Sequence, residues 1–367
     1  MQFVDLKTQY KKVEKDVTAR IMAVLEHGQY ILGPEVEELE KKLAAFTGSQ
    51  HCVAVASGTD ALLIALIAAG VQAGDEVITT PFSFFATVET IVLMGAKPVF
   101  VDIDPRSYNL DPNQIEVAIT HKTKAIIPVS LYGQCADFDA INAIAATHGI
   151  AVIEDAAQSF GATYEGRASC NLSTIGCTSF FPSKPLGCYG DGGACFTNDA
   201  SLATAMRELR AHGQSKRYTH TRIGINGRMD TLQAAILLAK LDLFREEIPM
   251  RKQVAQLYSE KLSGLVTTPY VEPYNQSVFA QYTIEVEQRE RMQAALQERG
   301  IPTAVHYPTP LHQQPAVKGL VDPALRFPIA ENAAKRVMSL PMHPYLLQEE
   351  QDSVVRAIRE IILSSAV

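Results

Sequence analysis

The feature that most limits the fold of this chain is a repeated alternation between residues 50 and 198, where short β-branched runs alternate with longer amphipathic segments. The segments between the first five runs are mostly predicted as helices, including residues 58–70, 84–95 and 138–149. The runs predicted as strands are HCVAVAS, EVITT, KPVFVDID, KAIIPVSLY, AVIEDAAQ, CTSFF and ACFTN. Such a rhythm is typical of a mainly parallel sheet, here of seven strands, with helices on both faces. The sequence therefore predicts an α/β fold.

Helical patterns flank this region. Before it, residues 5–27 and 35–46 are predicted as helices. After it, the pattern predicts two helices, at residues 200–212 and 229–262, and then a tail of strand, helix, loop and two final helices. Because 367 residues exceed one ordinary core, we expect two domains. They are a large ligand-binding domain at 1–240, which includes the N-terminal helices, and a smaller α+β domain at 241–367.

Composition and charge exclude several classes of function. Hydrophobic residues make up 47% and charged residues 20%, as in ordinary globular proteins. The charged N-terminus lacks the apolar core of a signal peptide, and the longest apolar stretch is too short to span a bilayer, so a cytoplasmic protein without membrane contact is expected. A net charge of −7 without a large basic cluster predicts no nucleic-acid partner. The six cysteines form no CxxC pair, which predicts reduced thiols and no metal site.

The first of four candidate strand ends is the segment ASGTDA at residues 56–61. Ligands of an open parallel sheet bind outside the carboxyl ends of its strands, and here such an end runs straight into an apolar helix. Free backbone N–H groups at the helix start, with Gly58 permitting close approach, would form a cradle for a phosphate. An ordinary capping box of Ser57 with Asp60 is the alternative interpretation.

The second strand end is EDAAQ at residues 154–158, with Asp155 at the tip of an apolar strand. A carboxylate there could pair with a protonated heterocyclic nitrogen. At roughly 3 Å and an effective dielectric near 20 the attraction is about 5 kcal/mol before desolvation is subtracted. That attraction is enough to keep a pyridine ring protonated at neutral pH. A helix-capping or magnesium-binding aspartate is the alternative.

The third strand end is TSFFPSKPLG at residues 178–187, which leads into a glycine-rich turn. A lysine held in a semi-enclosed turn, such as Lys184, loses its proton more readily than a solvated one, and a neutral amine can attack an aldehyde. The spacing matches neither the P-loop nor the dinucleotide-binding motif. A merely solvated lysine is the alternative.

The fourth strand end is PFSFFAT at residues 81–87, where an aromatic side chain could lie flat on a cofactor ring or belong to the core. Each of the four motifs is weak by itself. Together they supply a phosphate cradle, a stacking ring, a carboxylate for a ring nitrogen and a lysine, in the order along the sheet that one cofactor requires. The combination predicts pyridoxal 5'-phosphate (PLP) as the cofactor.

Longer stretches along essentially the whole chain resemble the DegT/DnrJ/EryC1/StrS family of nucleotide-sugar aminotransferases. The matching stretches are DLKTQY, GQYILGPEVEELE, SGTDAL, TTPFSFFAT, KPVFVDID, EDAAQSFGA, SFFPSKPLGCYGDGG, GINGRMDTLQAA and HYPTPLH. This resemblance implies the fold type I architecture of PLP-dependent transferases.

The resemblance also implies roles for individual residues. Lys184 would bind PLP as a Schiff base, Asp155 would pair with the pyridine nitrogen, and Gln158 would lie beside the ring hydroxyl. Gly58, Thr59 and Ser179 would hold the phosphate, and Phe84 would stack on the ring.

Two further implications concern assembly and reaction type. Asn226, in the GxNxR segment, would reach the cofactor phosphate of the neighbouring subunit, which implies a homodimer with shared active sites. Lys184 excludes the branch of the family that carries histidine at this position and works as a dehydratase. Asp191, where many members have glutamate, and Pro185 depart from the family pattern and would reshape the pocket without changing its chemistry.

Within the family, the likeness implies transfer of the amino group of L-glutamate to C3 of a UDP-linked 2-acetamido-2-deoxy-3-oxo-glucuronic acid, for a surface polysaccharide such as O-antigen. Candidate substrate-binding residues are Arg228, His306 and Tyr307. Arg228 could bind a carboxylate through two parallel hydrogen bonds, or form a salt bridge between subunits. The rival interpretations are an aminotransferase for another keto-sugar, such as a 4-keto-6-deoxy sugar, and a non-catalytic regulatory protein with the same fold.

Overall fold

The computed structural model describes residues 1–364, and the last three residues of the predicted C-terminal domain, 365–367, lie outside the described residues. The α-helices of residues 1–364 are Leu6–His27 (α1), Pro34–Thr47 (α2), Gly58–Ala68 (α3), Ala86–Leu93 (α4), Ile115–Ala118 (α5), Phe138–His148 (α6), Ala200–Leu209 (α7), Thr231–Leu262 (α8), Arg289–Glu298 (α9), Pro328–Arg336 (α10) and Gln348–Ser364 (α11). Among these helices, none is both long and apolar enough to cross a membrane.

The β-strands of the same residues are His51–Val55 (β1), Glu76–Thr79 (β2), Lys97–Phe100 (β3), Thr123–Ile127 (β4), Ala151–Asp155 (β5), Thr163–Tyr164 (β6), Arg167–Ala168 (β7), Ile175–Ser179 (β8), Gly193–Thr197 (β9), Gln214–Lys216 (β10), Thr219–His220 (β11), Asn275–Gln276 (β12), Tyr282–Glu285 (β13) and Val337–Leu340 (β14). Seven of them form the central sheet, in the order β1-β9-β8-β5-β4-β2-β3. Strand β9 runs antiparallel to both of its neighbours, and the other pairs in this sheet are parallel. The predicted α/β class with a mainly parallel seven-stranded sheet is confirmed.

Alternate residues of the central strands enter two different cores. In β1, Cys52 and Ala54 pack with α2, α6 and α8, whereas Val53 and Val55 pack with α3, α4 and α7. Successive side chains of a strand point to opposite faces, so a strand that is apolar throughout must be covered on both sides. The helices on both faces therefore follow from the continuous apolar runs in the sequence.

Local signals in the sequence fix where the helices start. Ser57, Asp137 and Asp199 each precede a helix and accept a hydrogen bond from a backbone N–H of its first turn. Pro34 occupies the first position of α2, where its fixed φ and missing N–H suit a helix start. Because α3 starts directly after β1, its N-terminus lies at the carboxyl edge of the sheet.

The C-terminal part of the chain has a core of its own. Residues 254–262 of α8 pack with β13, α9, β14 and α11 in this core. Strand β14 pairs antiparallel with β13 and lies between the last two helices, where no strand was predicted. Its sequence, VMSL, is too short for its periodicity to separate it from the helix before it. Helix α8 runs through residue 240, and Pro249 lies inside it.

Candidate active site

A cavity of about 440 Å³ lies at the carboxyl edge of the central sheet. Its walls come from the loops after β1, β2, β4, β5 and β8, and from a loop of the C-terminal part. The predicted site residues that line it are Gly58, Thr59, Phe84, Asp155, Gln158, Ser179, Lys184, His306 and Tyr307. Segments that are far apart in the sequence thus meet in one place, as expected for a parallel sheet.

The first turn of α3 forms one end of this cavity. The Ser57 side chain accepts a hydrogen bond from the Asp60 backbone N–H at 3.0 Å, so the predicted cap is present. A Cβ on Gly58 would come within 2.6 Å of the Ser179 Cβ, so only glycine lets the helix approach β8 this closely. The first N–H groups of a helix have no intrahelical acceptor. Together with the Ser179 hydroxyl they make a site suited to a phosphate.

Lys184 lies in the turn that follows β8, where its backbone N–H donates to the Phe181 carbonyl oxygen at 2.9 Å. Its side chain is half-buried and lines the cavity. Burial lowers the pKa of its amine, and the negative charge of Asp155 opposes this shift. The neutral amine is therefore easier to populate than on a solvated lysine.

Asp155 ends β5 and is only 5% exposed. Its carboxylate accepts a hydrogen bond from the Thr87 hydroxyl at 2.8 Å and another from the Ala157 backbone N–H at 3.2 Å. Burial raises the pKa of this carboxyl group, and the Thr87 hydrogen bond lowers it. A carboxylate can accept about four hydrogen bonds, so Asp155 retains capacity for a further donor.

Gln158 connects the two parts of the chain beside Asp155. Its side-chain oxygen accepts from the Tyr132 backbone N–H at 2.7 Å, and its side-chain nitrogen donates to the Tyr307 hydroxyl at 2.9 Å. Burial raises the pKa of Tyr307, and the Asp155 charge adds to the effect. Tyr307 therefore stays protonated at neutral pH and can donate a hydrogen bond.

His306 precedes Tyr307 and also lines the cavity. Its Nδ1 lies 2.9 Å from the Ser339 hydroxyl, and its backbone oxygen accepts from the Tyr132 hydroxyl. Burial lowers the pKa of His306 to about 4, and the positive charge of Lys184 adds to this effect. The imidazole is therefore neutral in the working range of most enzymes.

Phe84 presents an aromatic face to the cavity. Phe84 is 57% exposed, whereas phenylalanine is among the residues that are most often buried. The ring centroid lies 6.1 Å from that of Tyr307, with 44° between the planes. The core-phenylalanine alternative does not apply, because the ring has an open face available for stacking.

Asn226 and Arg228 are the two predicted site residues that do not line this cavity. The Arg228 Nε donates to the Asn226 side-chain oxygen at 2.9 Å at the protein surface. Their backbone is held by isolated bridges to Ala211 and Val55, respectively. The cavity of one chain is therefore assembled without either side chain.

Thr87 and Gln281 are among the residues of the site that the sequence did not predict. Thr87 binds Asp155, although only its position in the fourth motif had been noted. Gln281 lines the cavity from the C-terminal part, and its side-chain oxygen is buried with no hydrogen-bond partner among residues 1–364. No periodicity or motif marks it, since it stands just before β13 in an apolar run.

Among residues 1–364, the cysteines and the other residue types that can bind metals do not cluster into a metal site. All six cysteines are buried and free. Within the described part of the chain, no group of three or more histidine, cysteine, aspartate or glutamate side chains is arranged to hold a metal ion.

Comparison with known families agrees with this geometry. The model of the DegT/DnrJ/EryC1/StrS aminotransferase family matches residues 11–359. The chain belongs to this family. As a member of the DegT/DnrJ/EryC1/StrS family it is a PLP-dependent aminotransferase, so the predicted family, reaction class and cofactor are confirmed.

Three similar proteins illustrate the range of the DegT/DnrJ/EryC1/StrS family. A Pseudomonas aeruginosa protein named UDP-2-acetamido-2-deoxy-3-oxo-D-glucuronate aminotransferase is 61% identical over 94% of this chain and 96% of its own length. The crystal structure of a family member from Brucella abortus has a TM-score of 0.95 at 46% identity, covering 98% of this chain and 99% of that one. NtdA from Bacillus subtilis, solved with bound PMP, has a TM-score of 0.90 at 32% identity, covering 98% of this chain and 83% of that one.

The cavity fits the PLP cofactor of the DegT/DnrJ/EryC1/StrS family. It offers a neutralisable amine, a buried carboxylate, an open aromatic face and a helix N-terminus where a glycine allows close approach. These groups match an aldehyde, a pyridine nitrogen, a ring and a phosphate in turn.

Proposed function

We propose that this enzyme transfers the amino group of L-glutamate to the 3-keto group of a UDP-linked 2-acetamido-2-deoxy-3-oxo-glucuronic acid. The product would supply the synthesis of a surface polysaccharide such as O-antigen. The choice of substrate is supported by the 61% identity to the Pseudomonas aeruginosa enzyme of that name, which extends over nearly the whole of both chains. The reaction is supported by the Lys184 amine, whose pKa is lowered by burial and which lines the cavity together with Asp155.

We also propose which residues contact the cofactor. Lys184 would bind PLP covalently, and Asp155 would hold the ring nitrogen protonated. The remaining contacts would come from Gln158, Phe84, Gly58, Thr59, Ser179 and, from the partner subunit, the residue equivalent to Asn226. When bound, PLP supplies an electron sink that makes a neighbouring carbon–hydrogen bond acidic.

The chain's own contribution to the reaction is proton transfer and positioning. Once the Lys184 amine is free, it would accept the proton from the α carbon of glutamate and deliver it to the C4′ carbon of the cofactor. Its lowered pKa favours the neutral form that a general base requires. The Thr87 hydroxyl and the Ala157 N–H donate to the Asp155 carboxylate and favour its charged form against the effect of burial, which raises its pKa. The two groups therefore serve as base and charge partner.

We assign the sugar side of the cavity to His306, Tyr307 and Arg228. His306 is neutral and Tyr307 carries a proton, so both suit the hydroxyl and keto oxygens of a sugar rather than its carboxylate. Arg228 is the candidate for the uronate carboxylate, since a guanidinium binds a carboxylate through two parallel bonds. It lies outside the cavity of its own chain, which favours a role in the site of a neighbouring subunit.

A homodimer with shared active sites follows from this assignment. Asn226 and Arg228 lie together at the surface, away from the cavity that they would serve.

We also propose that the chain is divided into a large domain at 1–240 and a small domain at 241–367. The separate apolar core formed by residues 254–361 supports a C-terminal unit, and α8 would then belong to both domains.

The decisive experiment follows the cofactor spectrum through both halves of the reaction. Addition of L-glutamate to the purified enzyme should convert the visible band of the bound cofactor to the near-ultraviolet band of its amino form. Addition of the UDP-linked 3-keto-uronate should restore the visible band. The Lys184→Ala variant is the control and should lose about 10²- to 10⁴-fold in the rate of the first half. Restoration by neutral 4-keto-6-deoxy sugars in preference to the uronate would overturn the substrate, and absence of any glutamate reaction would favour the regulatory alternative.

A further inference from the structure

The loop that carries Lys184 is held from below by α8. Lys240, in the third turn of this helix, is only 1% exposed, and its ammonium group donates a hydrogen bond to the backbone oxygen of Gly187. Gly187 lies three residues after Lys184 in the same loop. A charged side chain of the large core is thus attached directly to the segment that presents the cofactor lysine.

The same helix holds the end of the loop through Tyr189. The Lys240 ammonium lies 4.9 Å from the centre of the Tyr189 ring, where a cation is attracted by the ring face. The Gln233 side-chain oxygen accepts from the Tyr189 backbone N–H at 3.0 Å. Two residues of α8, two turns apart, therefore grip consecutive parts of the loop.

The loop is closed on itself, so a displacement at Gly187 would reach Lys184. The Cys188 backbone N–H donates to the Phe180 carbonyl oxygen at 2.8 Å, and the Lys184 N–H donates to the Phe181 oxygen at 2.9 Å. A Cβ on Gly187 would lie within 2.7 Å of the Phe181 carbonyl oxygen, which leaves little room for rearrangement. These contacts tie Gly187 and Cys188 to the same short turn that carries Lys184.

A buried ammonium opposes folding unless other contacts replace its hydration. Around Lys240 these contacts are the Gly187 oxygen, the Tyr189 ring and the negative charge of Glu247 on the same helix. An apolar side chain of similar length would fill the space without this desolvation cost. The contacts of Lys240 lead to the Lys184 loop, which points to a role in placing that loop.

We propose that Lys240 is a positioning residue that sets the location of the Lys184 amine in the cavity through Gly187 and Tyr189. This inference rests on the proposed function, in which Lys184 is the lysine that binds the cofactor. We call the contacts of Lys240 with Gly187 and Tyr189 the clamp. Loss of the clamp should loosen the loop and weaken cofactor binding. It should also shift the pKa of the link between the cofactor and the lysine.

The test compares Lys240→Met with Lys252→Met, a matched change at an exposed lysine on the same helix. For the Lys240 variant we expect about a tenfold higher dissociation constant for PLP, because the loop would no longer hold the Lys184 amine in place, and a shifted pH midpoint of the visible cofactor band without substrate. The thermal midpoint of the cofactor-free protein should stay level or rise. The Lys252 variant should match wild type in all three measurements.

A second pair of variants tests the clamp if Lys240→Met fails to fold. Tyr189→Leu removes the ring under the ammonium and should shift PLP affinity and the spectral midpoint in the same direction as Lys240→Met. Tyr189→Phe keeps the ring and loses only a buried hydroxyl that has no partner in the described residues, so it should leave both unchanged. Equal effects of the two Tyr189 variants would contradict the clamp.

Reduction with borohydride and peptide mapping separates failure of this inference from failure of the proposed function. A label on Lys184 together with unchanged PLP affinity and unchanged spectral midpoint in Lys240→Met would overturn the positioning role alone. A label on another residue of the wild-type enzyme would overturn the assignment of Lys184, and the inference with it.

Discussion

Burial changes the two central ionisable groups of the site in opposite directions. It lowers the pKa of Lys184 and raises that of Asp155, while the attraction between the two charges opposes both shifts. The difference between the two pKa values is therefore smaller than in water. The reaction needs a neutral Lys184 amine beside a charged Asp155 carboxylate. A further interaction must therefore favour the charged form of Asp155, and the hydrogen bond from the Thr87 hydroxyl does so.

Replacement of Thr87 by valine tests this interaction. The hydroxyl lowers the pKa of Asp155, so without it the pKa should rise, and the acidic limb of the rate profile should move to higher pH. We expect kcat to fall by about tenfold at neutral pH, in keeping with loss of one hydrogen bond to a charged group. Thr90→Val is the matched control, because the Thr90 hydroxyl bonds only to backbone oxygens of its own helix, those of Ala86 and Thr87. An unmoved acidic limb would contradict this account of Asp155.

His306 should remain neutral through most of the accessible pH range. Its folded pKa is about 4, against about 6.5 when unfolded, so the folded state binds its proton only at lower pH than the unfolded state. Its contribution to stability is thus fully present above about pH 6.5 and is lost progressively as the pH falls toward 4. Nuclear magnetic resonance of the imidazole, assigned with a His306→Gln variant, should show no titration between pH 5 and pH 8. A midpoint near 6.5 would rule out the buried neutral imidazole.

The sequence predicted many of the residues that line the cavity but not their hydrogen-bond partners. Lys184, Asp155 and Gly58 follow strand ends, and a parallel sheet brings its strand ends together. Thr87 bonds to a residue 68 positions away, and such a pairing depends on the placement of α4 over the sheet rather than on any local pattern. Gln281 reaches the cavity from another part of the chain, where only the packing of the C-terminal region places it.

At the scale of whole elements, the contact between α3 and β8 determines the shape of the end of the cavity that we propose for the phosphate. The helix comes so close to the strand that the position facing Ser179 has no room for a side chain. This approach places the N-terminus of α3, with its partial positive charge, inside the cavity. The distance between the two elements is therefore part of the binding site.

A Gly58→Ala variant should force the two elements apart, because the new Cβ would lie 2.6 Å from the Ser179 Cβ. We expect the cofactor-free protein to lose about 1–3 kcal/mol in its free energy of unfolding, as in overpacked cores, and to bind PLP more weakly. Chemical denaturation and cofactor titration measure the two effects. The double variant Gly58→Ala, Ser179→Gly removes the clash and should recover stability but not affinity. Failure to recover stability would show that the clash is not the cause.

The elements of the central sheet were predicted well, and those of the C-terminal part less well. The seven strand runs of the sheet are apolar and mostly separated by strong helical patterns, and each one forms a strand. Strand β14 is four residues long and follows α10 without a break, so its pattern carried no separate signal. It exists because its main chain can pair with β13, which is a tertiary effect.

At the scale of the whole molecule, the position of Asn226 and Arg228 outside the cavity leads to a test of assembly. If each site takes these residues from the partner subunit, Lys184→Ala and Asn226→Ala chains should complement each other when mixed. A mixed dimer would hold one intact site and one site with both defects. Random mixing of equal amounts should thus restore about one quarter of wild-type activity, since half of the dimers are mixed.

The control for this experiment is a mixture of Lys184→Ala chains with chains that carry Asp155→Asn. Both changes affect groups in the cavity of the same chain, so no mixed dimer would contain an intact site. Recovery in this control, or its absence in the first mixture, would contradict sharing of sites between subunits.

Helix α8 carries side chains of both the large core and the C-terminal core, and its length of 32 residues corresponds to about 48 Å. The N-terminal third of this helix contacts the loop of Lys184 through Gln233 and Lys240, and its C-terminal end packs in the C-terminal core. The helix that contacts the Lys184 loop through Lys240 is therefore also packed in the C-terminal core. Substitutions at Tyr258 or Leu262, which are buried in that core, would change the packing of this same helix without altering the lining of the cavity.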